Sequence, residues 1–199
     1  MTFNDRSTPL TLLRTRRSGK PRDLAAPGPS PEQLREMVTI AARTPDHGKL
    51  APWRFVIVPD ALRAALAEKL VDIQRAEKPD ANERDAEATV QFVTQAPALV
   101  VVLSAPHEEH KIPIWEQQLS AGAACMNLLH AAHAMGFAGG WLTGWAAYSE
   151  AVRDLFGQAP QRIAGFVFIG TPSRPLEERP RGELSEIVHE WTLDAGRIG

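Results

Sequence analysis

Only one cysteine, Cys125, occurs in 199 residues, so no disulfide can close within the chain, and the composition suits a reducing compartment. Long apolar runs are missing too. The longest stretches, such as ALVVVL at 98–103, fall far short of the thickness of a bilayer. The first residues, MTFNDRSTPL, are polar and carry no apolar core of a secretory signal. A cytoplasmic protein with no membrane partner is the expectation. An excess of charge of either sign is also lacking: 22 basic against 24 acidic residues give a formal net charge of −2. That balance argues against a nucleic-acid partner and against a disordered acidic chain. Several catalytic signatures are absent as well. There is no G-x-S-x-G elbow and no G-x-x-x-x-G-K-[ST] loop, and the glycines of GFAGGWLTG (136–144) do not spell G-x-G-x-x-G.

What is present reads as one α+β domain over 1–199, with no internal repeat and no linker. PLTLLRTRR (9–17) predicts a short helix with Leu10 and Leu13 on one face. Ser30, Pro31 and Gln33 form a strong helix start, and Leu34, Met37, Val38 and Ala41 its buried side, up to about Arg43. WRFVIV (53–58) reads as a strand, and Asp60 as the cap of helix ALRAALAEKLVDIQR. The polar stretch AEKPDANERD then separates it from a further helical segment ending near Pro97. The region 75–95 is the most loop-like part of the chain and a candidate flap. ALVVVL reads as a strand buried on both faces, and IWEQQLSAGAACMNLLHAAHAMG as a long helix stopped by Gly136. FAGGWLTG and RIAGFVFIG (162–170) are further strands, with a Ser149-capped helix between them. The tail, 173–199, could wrap over a neighbouring subunit.

Among chemical candidates, HEEH (107–110) does not match H-E-x-x-H and is bracketed by Pro106 and Pro113, so no metal site is assigned. His130 and His133, three apart on the long helix, read as one packed and one solvated histidine. Cys125 sits among alanines and reads as inert packing. Cationic groups gather where the chain turns: Arg16, Arg17 and Ser18 after the first helix, Arg43 and His47 after the second. Guanidinium forks with a nearby hydroxyl suit a phosphate, although a merely solvated basic face has the same charges.

RRS at 16–18 followed by RTPDHGKLAPWRF at 43–55 resembles the nitroreductase family of FMN-dependent oxidoreductases, in particular its small bacterial NAD(P)H nitroreductase branch. HKIPIWEQ (110–117), SAG (120–122), GFAGGWLTG (136–144) and GFVFIGTP (165–172) agree in order and spacing. The resemblance implies a nitroreductase-like fold with a central mixed or antiparallel sheet flanked by helices. It also implies an intertwined homodimer with an FMN at each end of the interface. It places Arg16, Arg17, Ser18, Arg43 and His47 on FMN, with Trp141, Leu142 and Thr143 lining the flavin from the partner subunit. It places NAD(P) along Ala131, Ala132, His133, Ala134, Met135 and Gly136. No catalytic side chain is assigned, because the flavin carries the chemistry. NADH or NADPH is the implied donor, and a nitroaromatic, a quinone or a related small molecule the acceptor. Sibling chemistries of the superfamily, reductive dehalogenation and flavin consumption, stay open. So does a flavin-binding sensor that turns over poorly. Ala51 stands where the family usually has glutamine, so one side-chain amide contact is expected to be missing.

Overall fold

The computed structural model describes residues 2–191. Its centre is an antiparallel sheet in the order β4(Ala138–Leu142), β5(Arg162–Pro172), β3(Ala98–Ser104), β2(Trp53–Val58), with the two-residue β1(Leu24–Ala25) paired to the end of β5. In register, Val101 faces Val56 on one side and Phe166 on the other. All seven residues of β3 are buried, as a strand covered on both faces requires.

Alternation along the strands divides the core into two layers. Leu99, Val101, Leu103, Phe166 and Phe168 face α3(Arg63–Glu77), α4(Glu83–Thr94) and α7(Glu150–Asp154) through Leu66, Leu70, Val93 and Val152. Phe92 packs edge-on against Phe166 and Phe168, with ring centroids 5.1 and 5.5 Å away. On the other face, Val100, Val102, Val167 and Ile169 meet α2(Pro31–Ala41) and α5(Ile114–Ala134) through Leu34, Met37, Cys125 and Leu128. The chain is thus an α+β sandwich of three layers.

Local sequence explains most helix ends. The Ser30 hydroxyl accepts from Gln33 N–H at 3.2 Å while the Gln33 amide oxygen accepts from Ser30 N–H at 2.9 Å, the reciprocal box expected there. Asn82 and Asp85 form a second such box, so the stretch read as loop-like is mostly α4, and only residues 78–82 separate it from α3. Thr89 of α4 then donates to the Gln74 side chain of α3 in a buried contact. Asp60 starts a short 3-10 turn rather than capping α3 directly. Gly136, at φ +93°, ends α5 as expected: Phe137 N–H reaches Ala132 O and Gly136 N–H reaches His133 O. Ser149 accepts from Val152 N–H and caps α7; the short α6(Trp145–Tyr148) precedes it.

The first helix departs from expectation. α1(Pro9–Thr15) ends two residues early and buries Leu12, leaving Leu10 and Leu13 more than half exposed. The start of the tail lies against its own chain. Ser173 and Arg174 contact Asp23, and Glu177 and Glu178 contact Arg17 and Lys20 of the same chain. Beyond them, Leu184, Ile187, Val188 and Trp191 are exposed around the short α8(Leu184–Ile187). Residues 192–199 of the expected wrapping tail lie outside the described residues.

One buried cation holds the sheet to the helical layer. Arg63, 3% exposed, donates to the carbonyls of Val58, Val93, Ala96 and Pro97, closing the end of α4 where carbonyls lack helical partners. Arg63→Met keeps the volume and strands these carbonyls. It should lower unfolding stability in urea by about 3 kcal/mol. A loss below about 1 kcal/mol would show that the carbonyls find other partners.

Candidate functional site

The segment after α1 leaves the helix at Arg16, whose backbone is extended. Asn4 holds its neighbour at both ends, accepting from Arg17 N–H at 2.8 Å and donating to Arg17 O at 3.2 Å. Gly19 N–H then reaches Gly139 O of β4 at 3.1 Å, which docks the segment against the strand. Extended backbone alternates its side chains, and this divides the RRS motif. Arg16 and Ser18 lie together, Arg16 Nη1 donating to Ser18 Oγ at 3.3 Å. Arg17 turns to the tail, where it donates to Glu177 O at 2.8 Å and pairs with Glu178 at 3.2 Å. Lys20 pairs with Glu177 at 2.9 Å, and a cavity of about 300 Å³ lies between this segment and residues 172–180.

Arg16 has no such partner. Among the described residues no carboxylate pairs with it, and its guanidinium is pulled below its ordinary value by burial, then by Arg181 and Arg17. Its charge is felt on α5 as well. His130 is pushed down by burial and by Arg16. His133, fully buried, is held at about 4 by burial, then by Arg16 and His130. Arg181 has Glu178 at 3.9 Å, but Arg16, between it and the two imidazoles, has no carboxylate of its own and makes a place for an anion. The sequence leaves open which of the tail arginines Arg174, Arg179 and Arg181 reaches a phosphate; Arg181 is the one whose charge acts on Arg16.

Beside the cluster runs an unpaired strand edge. Gly139 donates to His133 Nε2 at 3.3 Å and accepts from Gly19, so its backbone groups point away from β5. Antiparallel alternation turns the backbone of Trp141 to the same free edge. The Trp141 indole donates to Ala164 O at 3.0 Å. It fills the space that a Cβ on Gly165 would need and lies near Gly122 of α5. Leu142 and the exposed Thr143 follow. Trp141, Leu142 and Thr143 thus continue from the strand edge on which Gly19 of the same chain docks at Gly139.

The second cationic loop is elsewhere. Thr44 is buried and held by Asn127 of α5 at 2.7 Å. The Asp46 carboxylate accepts from Leu50 and Ala51 N–H, and so orders the turn in which Gly48, Lys49 and Ala51 take positive φ. A side chain on Gly48 would strike Ile112. His47 donates through Nδ1 to Glu116 in the first turn of α5 at 2.9 Å, whereas Arg16 acts on His130. Fourteen residues of helix separate Glu116 from His130, a rise of about 21 Å. Within one chain, then, α5 holds His47 far from Arg16. Arg43, exposed at the end of α2, has no side-chain hydrogen bond or ion pair among the described residues.

Half of the stretch expected along NAD(P) is inside the protein. Ala131, Ala132 and His133 are buried, so their side chains present no surface to a nicotinamide; Ala134 and Gly136 are exposed and Met135 half-buried, with Gly136 against Arg6. The two histidines of HEEH have structural contacts. His107 Nε2 lies 3.1 Å from Leu50 O, and His110 Nδ1 accepts from Ile112 N–H. Buried Gln117 ties that loop through three hydrogen bonds. Among the described residues no cluster of three His, Cys, Asp or Glu side chains could hold a metal. Burial pushes the Cys125 thiol up to about 12, which leaves it a poor nucleophile.

Comparison with known proteins matches this arrangement over most of its length. The model of the Nitroreductase family matches residues 13–171, from α1 to the end of β5. An Escherichia coli K12 protein named "Putative NAD(P)H nitroreductase YdjA" is 37% identical over 164 residues, covering 82% of this chain and 87% of that one. The chain belongs to the nitroreductase family. As a nitroreductase-family member it is an oxidoreductase of the flavin-using kind. Solved structures agree in fold. A Bacillus cereus nitroreductase-like family protein superposes with a TM-score of 0.78 at 20% identity, covering 96% of this chain and 98% of that one. A Desulfovibrio desulfuricans nitroreductase-fold protein, solved in complex with FMN, gives 0.70 at 21% identity, covering 94% and 99%. In this family member, the tail that carries Arg174, Arg179 and Arg181 lies beyond the residues that the family model matches.

Proposed function

We propose that the protein is an FMN-dependent NAD(P)H oxidoreductase, with nitroaromatics, quinones or related small molecules as acceptors. We further propose that it works as a homodimer. The observation that carries the reading is Arg16, half-buried beside Arg181 and His130 at the foot of the free β4 edge with no carboxylate paired to it. FMN fits these residues: a phosphate dianion supplies the missing countercharge, and a flat ring needs an edge that side chains leave open. Arg16 and Ser18 would hold the phosphate, with Arg181 closing from the tail. The backbone at Trp141 would meet the ring, and the indole, fixed by Ala164 O, would keep water from one side of it. Bound FMN supplies a two-electron carrier that takes hydride from NAD(P)H and passes electrons on to a second acceptor.

His47 joins this site from a second copy of the chain, because α5 keeps it from its own Arg16, and Arg43 would come with it on the same loop. Glu116 orients the His47 ring through Nδ1 and leaves Nε2 for the ligand. Arg43 places positive charge where a reduced flavin is electron-rich, which favours reduction. The exposed Leu10 and Leu13 of α1, and Trp115 and Leu119 of α5, offer the apolar surface a dimer would cover. No helix of the described residues is long and apolar enough to cross a membrane.

Anaerobic titration of the FMN-loaded protein with NADPH and then NADH, followed by visible absorbance, tests the activity. Bleaching at stoichiometric nicotinamide is the expected result and names the donor. Yellow colour that persists with both donors would contradict the oxidoreductase and favour a flavin sensor.

A further inference from the structure

Among the described residues only two buried side-chain polar atoms lack a hydrogen-bond partner, Ser104 Oγ and His133 Nδ1. A buried donor without an acceptor costs stability, so an imidazole at position 133 is a poor way merely to fill space. The other ring nitrogen shows what the residue does. Gly139 N–H, on the β4 edge that no further strand covers, donates to Nε2 of the fully buried His133. The carbonyl of the same Gly139 accepts from Gly19 N–H. The neighbouring residue enforces the fit: a Cβ on Gly140 would stand 2.7 Å from Gly19 O and 3.0 Å from Pro21. The segment 18–20 therefore lies flush against β4, and its place is set by where β4 lies. Ser18 and Arg16, bonded to each other, continue directly from Gly19.

We infer that His133 is a positioning residue of the anion cradle: its Nε2 fixes the edge of β4 at Gly139, and through Gly19 that edge sets Ser18 and Arg16. For its ligand the inference rests on the FMN reading given above. The groups that face His133 are Arg16 from the docked segment and His130 from its own helix, both cationic or titratable. A neutral ring with Nε2 as acceptor is the state that this surrounding favours, and the proton then resides on Nδ1.

Three measurements test the role. In flavin-free wild type, ¹⁵N NMR of His133 should show the Nδ1-protonated tautomer; the Nε2-protonated tautomer would overturn the inference. His133→Leu keeps the bulk and removes the acceptor, whereas His133→Gln returns an oxygen near the position of Nε2. Amide exchange at Gly139 and Gly19 should quicken in the leucine variant and return towards wild type in the glutamine variant. FMN affinity by fluorescence quenching should fall roughly tenfold in the leucine variant and stay within about threefold in the glutamine variant. Equal losses in the two variants, or wild-type affinity in the leucine variant, would reduce His133 to packing. If the leucine variant does not fold, the wild-type tautomer and the glutamine variant's exchange still decide the matter. Wild-type protein that takes up no FMN would end the cofactor reading alone, since tautomer and exchange are read without flavin.

Discussion

Arg16→Ala is expected to weaken FMN binding roughly a hundredfold, the loss of about 2.7 kcal/mol from one charge-assisted contact to a phosphate. The flavin-free protein should not suffer. Arg16 is half-buried beside Arg181, Arg17, His130 and His133 with no carboxylate to offset it, so its removal relieves repulsion. The melting temperature of the apoprotein should therefore hold or rise while cofactor affinity collapses. Such opposition is expected where a site keeps charge for a ligand at the expense of the empty fold. Arg17→Ala gives the contrast. Its guanidinium is engaged by Glu177 and Glu178 of the tail, so its loss should weaken FMN less than about tenfold. Equal losses from the two substitutions, measured by fluorescence quenching, would contradict the division of the motif by backbone alternation.

The second large effect is on acid stability. His133 is fully buried and held at about 4, against an ordinary value of 6.5, by burial first and then by Arg16 and His130. Below pH 6.5 the unfolded chain takes up a proton at this residue that the folded chain refuses. The stability it contributes is complete above pH 6.5 and is lost as pH falls towards about 4. Over that window the wild type should lose roughly 3 kcal/mol more than His133→Gln, read as the difference between urea curves at each pH. Parallel pH profiles for the two proteins would show that His133 titrates normally. Carboxylates contribute to both profiles and cancel in the difference.

Much of the architecture could be read before the structure. The Ser30–Gln33 cap, the buried β3 run and the Gly136 stop are local signals, each set by a few adjacent residues. The small residues at the centre of α5 are local too: Ala121 and Ala124 admit Trp53, and Gly122 admits the Trp141 indole. The misreadings have physical causes. The Asn82–Asp85 box was present in the sequence, but its polar surroundings resemble those of a loop. Leu10 and Leu13 show the right period for a buried face, and periodicity does not tell a chain's own core from another chain's surface. The helix was expected to run to residue 17, which hid the alternation that sends Arg16 and Arg17 to different sides. That one of His130 and His133 is packed was read from their spacing, but which one depends on the packing of α5 against β4, which adjacent sequence does not carry. Arg16 and His47 fall in two motifs of one ordered set, and only the length of α5 between their contacts shows how far apart they stand.

We propose a flavin site of two halves, kept apart in each chain by α5 and joined only between two copies. Hybrid dimers test it most directly. An Arg16→Ala chain and an Arg43→Ala, His47→Ala chain, carrying different tags, would be co-expressed and the mixed dimer isolated. One of its two sites then combines an intact Arg16 half with an intact His47 half, and the other combines both damaged halves. About one tightly held FMN per hybrid dimer is expected, with little in either parent dimer. A hybrid as empty as its parents would place Arg16 and His47 of one chain on the same flavin, and the divided site would be wrong.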